Sequence, residues 1–544
     1  MASPYVRLAR ALVFASSQAG SLAGCASPAL RPAPPALTAP PAGAAPKPLP
    51  APVTSPSGLA LDITIRPVCE GARPEAVDVR VELAAPSEAP VFRIGNAIDA
   101  EALEDLIERP TLRDDDGLIE LSRRIAPGSD GEARIFFTGE RLARGKLALT
   151  YRVRAQPTET RGIRFGLRHG DGAIGGSGDG FLILPAMPDA RDITVLWDIG
   201  HCAFKWQVGS ALGLGAGPHR IHAAPDALRQ AAFFAGGMHA SSFDDGKTHL
   251  RLAIIGKVAF DESVALAYAG RVLVAERAAF GDDDPTPFYA FMRVLPEMTT
   301  KVVGGGNMYG YSSVVGPAAE WNARMRNHIA HELLHHWIGV GLWVRDADGV
   351  SGYWLTEGFT TRYARTIALR AGAISPAEYL AEVNKQAAAF YGNPLRGSTN
   401  AVVERAIETG EGDPSLGLLP YYKGSFYADE LDGAIRAGSN GKRSLDDVVR
   451  GLLAQAKSAP RNEAGYAQLT EDVVRSAIAA ELGTAGAKRF DDVVRHGVVP
   501  RPGPTALGPC FVRRDKKYGV LDGYEWVRAA GVADERCGEL GPSH

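Results

Sequence analysis

From residue 58 onward, apolar and polar positions alternate. In LALDITIR, Leu59, Leu61, Ile63 and Ile65 are separated by Ala60, Asp62, Thr64 and Arg66. VDVRVEL at 77–83 and LALTYRV at 147–153 repeat the pattern. Successive side chains of a strand point to opposite faces, so period two with turn residues between runs predicts half-buried antiparallel strands. Residues 58–188 are therefore read as a β-rich, sandwich-like N-terminal domain. Inside it, HGDGAIGGSGDGF at 169–181 lacks the GK[ST] ending of a phosphate loop and reads as a surface loop.

Mixed strands continue to about 305, LRLAIIG at 250–256 among them. After Pro317 the apolar spacing becomes helical and stays largely so to about 500. GSNGKRSLDDVV at 438–449 does not space its GK as a Walker motif. It predicts a helix stop at Gly438–Gly441 and a new helix capped by Ser444, with Asp447 completing a capping box. The fold class is α+β and multidomain.

The start of the chain is different. MASPYVRLAR carries Arg7 and Arg10 and no acid, and an apolar, small-residue stretch leads to LAGC, Leu22–Cys25. That order predicts a secretory signal at 1–24. LAGC resembles the bacterial lipobox, which implies lipidation of Cys25. Residues 25–57 are mostly Pro, Ala and small polar residues, a composition that stays extended and suits a tether. Together these features predict an exported lipoprotein of the bacterial cell envelope, facing the periplasm, with its lipid anchor as the membrane contact. Cys69, Cys202, Cys510 and Cys537 remain, and an oxidising compartment allows three pairings. Cys510 and Cys537 share the short C-terminal segment and are the expected pair.

Composition adds exclusions. With 45% apolar and 22% charged residues, the 544-residue chain can bury several ordinary cores. A net charge of −3 gives no case for nucleic-acid binding. No stretch after the leader is apolar for 18 residues, so a multi-span membrane protein is excluded.

The chemistry concentrates in RMRNHIAHELLHHWIG, 324–339. The surrounding segment, 318–339, has helical composition, with Pro317 before it and Gly339 at its end. HELLH fits HExxH: on a helix His331 and His335 stand one turn apart and reach one ion, while Glu332 is placed to touch a water. His328 and His336 read as packed or solvated bystanders. A catalytic zinc usually has three protein ligands and one open position. Glu357, in YWLTEGFTTRYART at 353–366, opens an amphipathic helix and is either the third ligand or a first-turn acid serving the helix dipole.

HELLHHW followed by WLTEGFT resembles the gluzincin metallopeptidases, the group of aminopeptidase N and the glycyl aminopeptidases. LPYYKGSFYADELDGAIRAGSNGKRSLDDVVRGLL, 419–453, resembles the YxKG and GKRSLDDV region of the glycyl aminopeptidases. The separation of His335 from Glu357, with 336–356 between them, is longer than in aminopeptidase N. The resemblance implies a thermolysin-like α/β zinc catalytic domain at 189–370, an α-helical domain at 371–500 and a tail at 501–544 holding the solvated run RRDKK. The tail is too short for the PDZ domain the family often carries. The resemblance also implies one zinc per chain on His331, His335 and Glu357, a metal-activated water with Glu332 as general base, and Tyr421 as oxyanion donor, with Tyr422 the alternative if the register differs.

VVGGGNMYGYSS, 302–313, is similar to the strand on which gluzincins lay a peptide, implying substrate contacts at Gly304, Gly305, Gly306 and Asn307. Aminopeptidase relatives place an amine-binding glutamate here; this chain has Asn307 or Met308, so aminopeptidase and endopeptidase both stay open. The expected partner is a peptide or protein substrate. The alternative is a non-catalytic, zinc-stabilised, peptide-binding envelope lipoprotein. Glu332 weighs against it, since holding metal alone does not need that residue.

Overall fold

The alternating runs pair with one another. Leu61–Glu70, Arg73–Ala84 and Lys146–Arg154 lie antiparallel in a seven-stranded sheet. Their apolar positions fall in register, with Ile63 opposite Val81 and Val81 opposite Leu149. The computed structural model describes residues 60–538, except 72, 95–104, 128–132, 157–165, 171, 200–201, 203–206, 230, 308, 346–351, 410–411 and 460–467. The signal segment, the tether and Cys25 lie outside the described residues.

The first domain runs past residue 188. Arg191–Trp197 joins the large sheet parallel to Leu61–Glu70, and His219–Ala223 adds beyond it. Five- and four-stranded sheets pack against the same core, which includes Phe92, Phe137, Phe181, Phe233 and Met238. The later strands are short, so their own pattern does not say which sheet they join. The glycine-rich run at 169–181 is not a surface loop. Arg168–Gly170 and Ala173–Ser177 form a buried hairpin in the five-stranded sheet. A disulfide joins Cys69, near the end of Leu61–Glu70, to Cys202, which follows the neighbouring strand Arg191–Trp197.

The second unit is built on a five-stranded sheet of β1 (Met238–Asp245), β2 (Thr248–Ile255), β3 (Phe288–Val294), β4 (Val302–Asn307) and β5 (Gly310–Val315). The strand order is β1-β2-β3-β5-β4, so β4 is an edge paired only with β5. Helix α1 (Glu262–Phe280) makes the crossover from β2 to its parallel neighbour β3. Helix α2 (Ala323–Leu334) follows the sheet. It is shorter than the helical composition of 318–339 suggests, because the Asn322 side chain accepts the Met325 N–H at 3.1 Å and starts it there.

Helices then dominate: α3 (Tyr353–Arg370), α4 (Pro376–Tyr391), α5 (Asn400–Thr409), α6 (Leu419–Gly438), α7 (Leu445–Ser458) and α8 (Glu471–Phe490). Ser444 and Asp447 form a reciprocal capping box at the start of α7. Residues 501–538 are more than a tail. β6 (Phe511–Tyr518) and β7 (Leu521–Arg528) form a hairpin on α4, where Asn384 exchanges two 2.8 Å hydrogen bonds with the Trp526 backbone. The RRDKK run lies on β6, with Lys516 and Lys517 paired across the hairpin to Glu525 and Asp522. Cys510 and Cys537 are disulfide-bonded beside this hairpin. Among the described residues no helix is long and apolar enough to cross a membrane.

Helix α3 departs from its sequence pattern. It looks amphipathic, yet every residue from Tyr353 to Leu369 is buried. Its arginines meet acids inside: Arg362 reaches Asp432 on α6 at 2.7 Å, and Arg365 pairs with Asp429 and Ser425. The two helices touch backbone to backbone. A Cβ on Gly424 would lie 1.9 Å from the Trp354 carbonyl oxygen, and one on Gly358 would lie 2.4 Å from the Gly424 Cα. Gly424→Ala must therefore push α6 off α3 and is expected to destabilise the protein by about 2–3 kcal/mol. Gly451→Ala, at an exposed position of α7 where an added Cβ meets nothing within 4 Å, is expected to stabilise by about 0.5–1 kcal/mol. Urea-denaturation midpoints of the two variants check the pair; a neutral Gly424→Ala would contradict the packing.

Candidate metal centre

Three segments converge on one spot. Helix α2 brings His331, Glu332 and His335, which sits at its C-terminal cap in helical conformation. The first turns of α3 bring Glu357, and those of α6 bring Tyr421. Between the second histidine and Glu357 the chain detours: Trp343–Val344 pairs with Gln468–Leu469 before α3 begins. This detour accommodates the long separation seen in the sequence.

Glu357 is the hub. Its Oε2 lies 3.0 Å from His331 Nε2 and 3.7 Å from His335 Nε2. One ligand atom from each of the three residues falls within 4.8 Å of the others. Two ligands at 2.0–2.1 Å from a tetrahedral zinc stand about 3.4 Å apart, between these two distances. His335 Nδ1 lies 2.9 Å from the Ile338 carbonyl oxygen, so it carries the proton and leaves Nε2 as a free lone pair. Two imidazoles and one carboxylate with an open side form the donor set of a catalytic zinc site. The residues therefore fit the metal.

The site is dry, and its charges respond. His331, Glu332, His335 and Glu357 are all less than a tenth exposed. Burial pushes the Glu332 carboxyl up to about 8; His331 opposes the rise and Glu357 adds to it. Glu332 Oε2 is buried with no protein partner. Burial would also raise Glu357, but the charges of His335 and His331 and hydrogen bonds from His331 and Tyr421 hold it below the usual carboxylate range. Burial likewise opposes protonation of His331, yet its contact with Glu357 raises it overall. Burial holds His335 below its usual range, although the charge of Glu357 opposes this.

Tyr421 stacks on His331, ring centroids 5.8 Å apart, and hydrogen-bonds Glu357. Burial and the surrounding carboxylates keep its phenol protonated well above its usual range. Burial raises the Tyr422 phenol, and the charges that act on it are those of Glu382 and Arg324. The other two histidines have neighbours of their own. His328 Nε2 lies 2.8 Å from Ser313 Oγ and its Nδ1 lies 3.3 Å from Glu332, while His336 Nδ1 accepts the Tyr309 N–H at 3.0 Å. The Ser313 contact was not legible in the sequence; HExxH itself gives no clue to it.

The edge strand lies directly on this helix. A Cβ on Gly304 would be 2.8 Å from both Glu332 Cδ and His328 Cε1, and one on Gly306 would be 2.0 Å from His335 Cβ. Only glycine permits this approach. A Cβ on Gly305 would meet nothing within 4 Å. The Asn307 backbone pairs with Gly310 at the end of β4. The nearby Asp284 is engaged: it accepts from the Thr286 N–H at 2.9 Å and the Tyr309 hydroxyl at 2.6 Å.

The fold is similar to those of solved metallopeptidases. The aminopeptidase N family protein from Idiomarina loihiensis matches with a TM-score of 0.65 at 14% identity, over 84% of this chain and 79% of that one. The M1 zinc metallopeptidase from Deinococcus radiodurans matches with a TM-score of 0.51 at 16% identity, over 82% and 96%. A mutant of that enzyme bound to a Tyr-Ser-Ala substrate matches with a TM-score of 0.52 at 15% identity, over the same shares of 82% and 96%. No protein-family model and no curated protein matches the chain. What these structures share with this chain is the M1 metallopeptidase-like fold. The donor set itself makes a prediction: Glu357→Ala is expected to weaken zinc binding by roughly 100-fold or more, and His336→Ala by far less. Competition with a chromophoric chelator measures both, and equal affinities would remove Glu357 from the ligand set.

Proposed function

We propose that the protein is a zinc-dependent metallopeptidase that hydrolyses peptide bonds with a water activated at this site. The observation that carries the reading is Glu332. It lies beside a complete His–His–Glu donor set, yet its Oε2 has no protein partner. A buried carboxylate oxygen without a partner is costly to keep unless it handles a proton. The zinc of the solved relatives that share the fold supports the same assignment.

When bound, zinc supplies a Lewis acid that polarises the scissile carbonyl and makes the attacking water acidic near neutral pH. His331, His335 and Glu357 hold it. Glu332 Oε2 accepts the proton of the attacking water and returns it to the leaving amine. The Tyr421 hydroxyl, already directed into the site by Glu357, donates to the developing oxyanion. Strand β4 offers its outer edge to the substrate backbone. Its glycines place that backbone against Glu332 and His335.

A free substrate amine is not required in this reading. β4 carries no acid, and Asp284 is held by Thr286 and Tyr309. We also propose that the chain is exported and lipidated at Cys25. LAGC and the tether support this, and so do the Cys69–Cys202 and Cys510–Cys537 disulfides, which suit an oxidising compartment. A Cys25→Ala chain should move from the membrane to the soluble fraction; continued membrane association would exclude the anchor.

Glu332→Gln is expected to keep zinc and lose about 10²–10⁴ in kcat. Metal content measured alongside turnover decides this: retained cleavage with zinc bound would sink the mechanism. Tyr421→Phe should lower kcat by about 10²–10³ with little change in KM. Free and N-acetylated forms of one peptide should be cleaved at similar rates. Strict preference for the free amine would identify an aminopeptidase instead.

A further inference from the structure

The cleft has a direction. β4 and α2 run the same way, since Gly304 sits over His328 and Glu332 while Gly306 sits over His335. The N-terminal end of β4 therefore points toward the first turn of α2. Arg324 is exposed in that turn. Arg324, His328, His331 and His335 follow one another at spacings of four, three and four residues, so they share one helix face. Arg324 thus stands on the metal-bearing stripe, about 10 Å along the axis from His331.

Arg324 is close enough for its charge to act on two neighbours. It disfavours the protonated form of His328 on its own helix and lowers the proton affinity of Tyr422 on α6. No carboxylate among the described residues pairs with it. Glu382 is engaged by Lys385 at 3.5 Å and Gln386 at 3.0 Å, and Glu378 by Arg326. Nor does Arg324 serve its helix, since a cation in a first turn opposes the helix dipole.

We propose that Arg324 binds the free C-terminal carboxylate of the substrate, so that the enzyme cleaves close to the C-terminal end of short peptides. This rests on the peptidase reading above and names its substrate class. An extended peptide spans about 3.3 Å per residue, so 10 Å corresponds to two or three residues on the leaving side. The arginine also sets the polarity of the bound strand. The carboxylate end lies toward Arg324 and the amine end toward Asn307, where β4 provides no acid. A guanidinium matches a carboxylate with two parallel hydrogen bonds, which a carboxamide cannot reproduce.

The test uses N-acetylated peptides with two residues after the scissile bond, ending in a carboxylate or a carboxamide. The zinc-loaded wild type should prefer the carboxylate by roughly tenfold in kcat/KM, mainly through KM. Arg324→Gln should bring the ratio close to one, and Arg324→Lys should leave it between the two. A wild-type ratio near one, or a preference that survives Arg324→Gln, overturns the assignment. A second arm separates it from the peptidase reading by calorimetric binding of the same peptides to zinc-loaded Glu332→Gln. Arg324-dependent preference for the carboxylate there, with neither peptide cleaved by wild type, would keep the carboxylate site and remove the peptidase. Cleavage without that preference would do the reverse.

Discussion

The contact of α3 with α6 is the constraint on which the rest depends. Glu357 comes from one helix and Tyr421 from the other, and their backbones meet at Gly358 and Gly424. Such closeness brings two sets of polar side chains into a dry interior. The arginines of α3 then need the aspartates of α6. Arg362 lies 2.7 Å from Asp432, whose other oxygen accepts the Leu445 N–H of α7 at 3.0 Å. Breaking one member of such a group leaves a buried charge uncompensated, so the network fixes the position of α6 more firmly than apolar packing alone would. The position of the Tyr421 hydroxyl relative to Glu357 follows from that register.

The second wall depends on the first. Helix α2 carries His331, His335 and Glu332, and it must present them to Glu357 while lying under the sheet edge. Its non-ligand histidines take part in this. His328 bridges toward Ser313 on β5, and His336 accepts the Tyr309 N–H at the β4–β5 turn. Both tie the helix to the strands it serves. Neither belongs to the three-residue donor set, yet each limits how far α2 can rotate under β4.

Much of this was legible in the sequence because the signals were local. HExxH is a one-turn relation, and the Ser444–Asp447 capping box is a three-residue one. The alternating strands from 61 onward could be read for the same reason. What escaped was non-local. The segment at 169–181 looks like a loop because glycines carry no pattern, yet its neighbours bury it as a hairpin. Helix α3 looks amphipathic because Arg362 and Arg365 look like surface residues; their partners lie more than 60 residues away in the chain. The first domain ends later than the alternation because sheet membership is decided by pairing.

The glycines of β4 form a ceiling with no side chains of its own. Gly304 and Gly306 already sit at the limit of contact with α2, so any larger residue there would displace the reacting groups. That ceiling is blind to substrate sequence, because it can meet only what all peptides have in common. It is also closed to gradual change. If the proposed activity is to favour different substrates, the divergence has to be written at positions such as Arg324 and Tyr422, where side chains can be exchanged without moving α2 against β4.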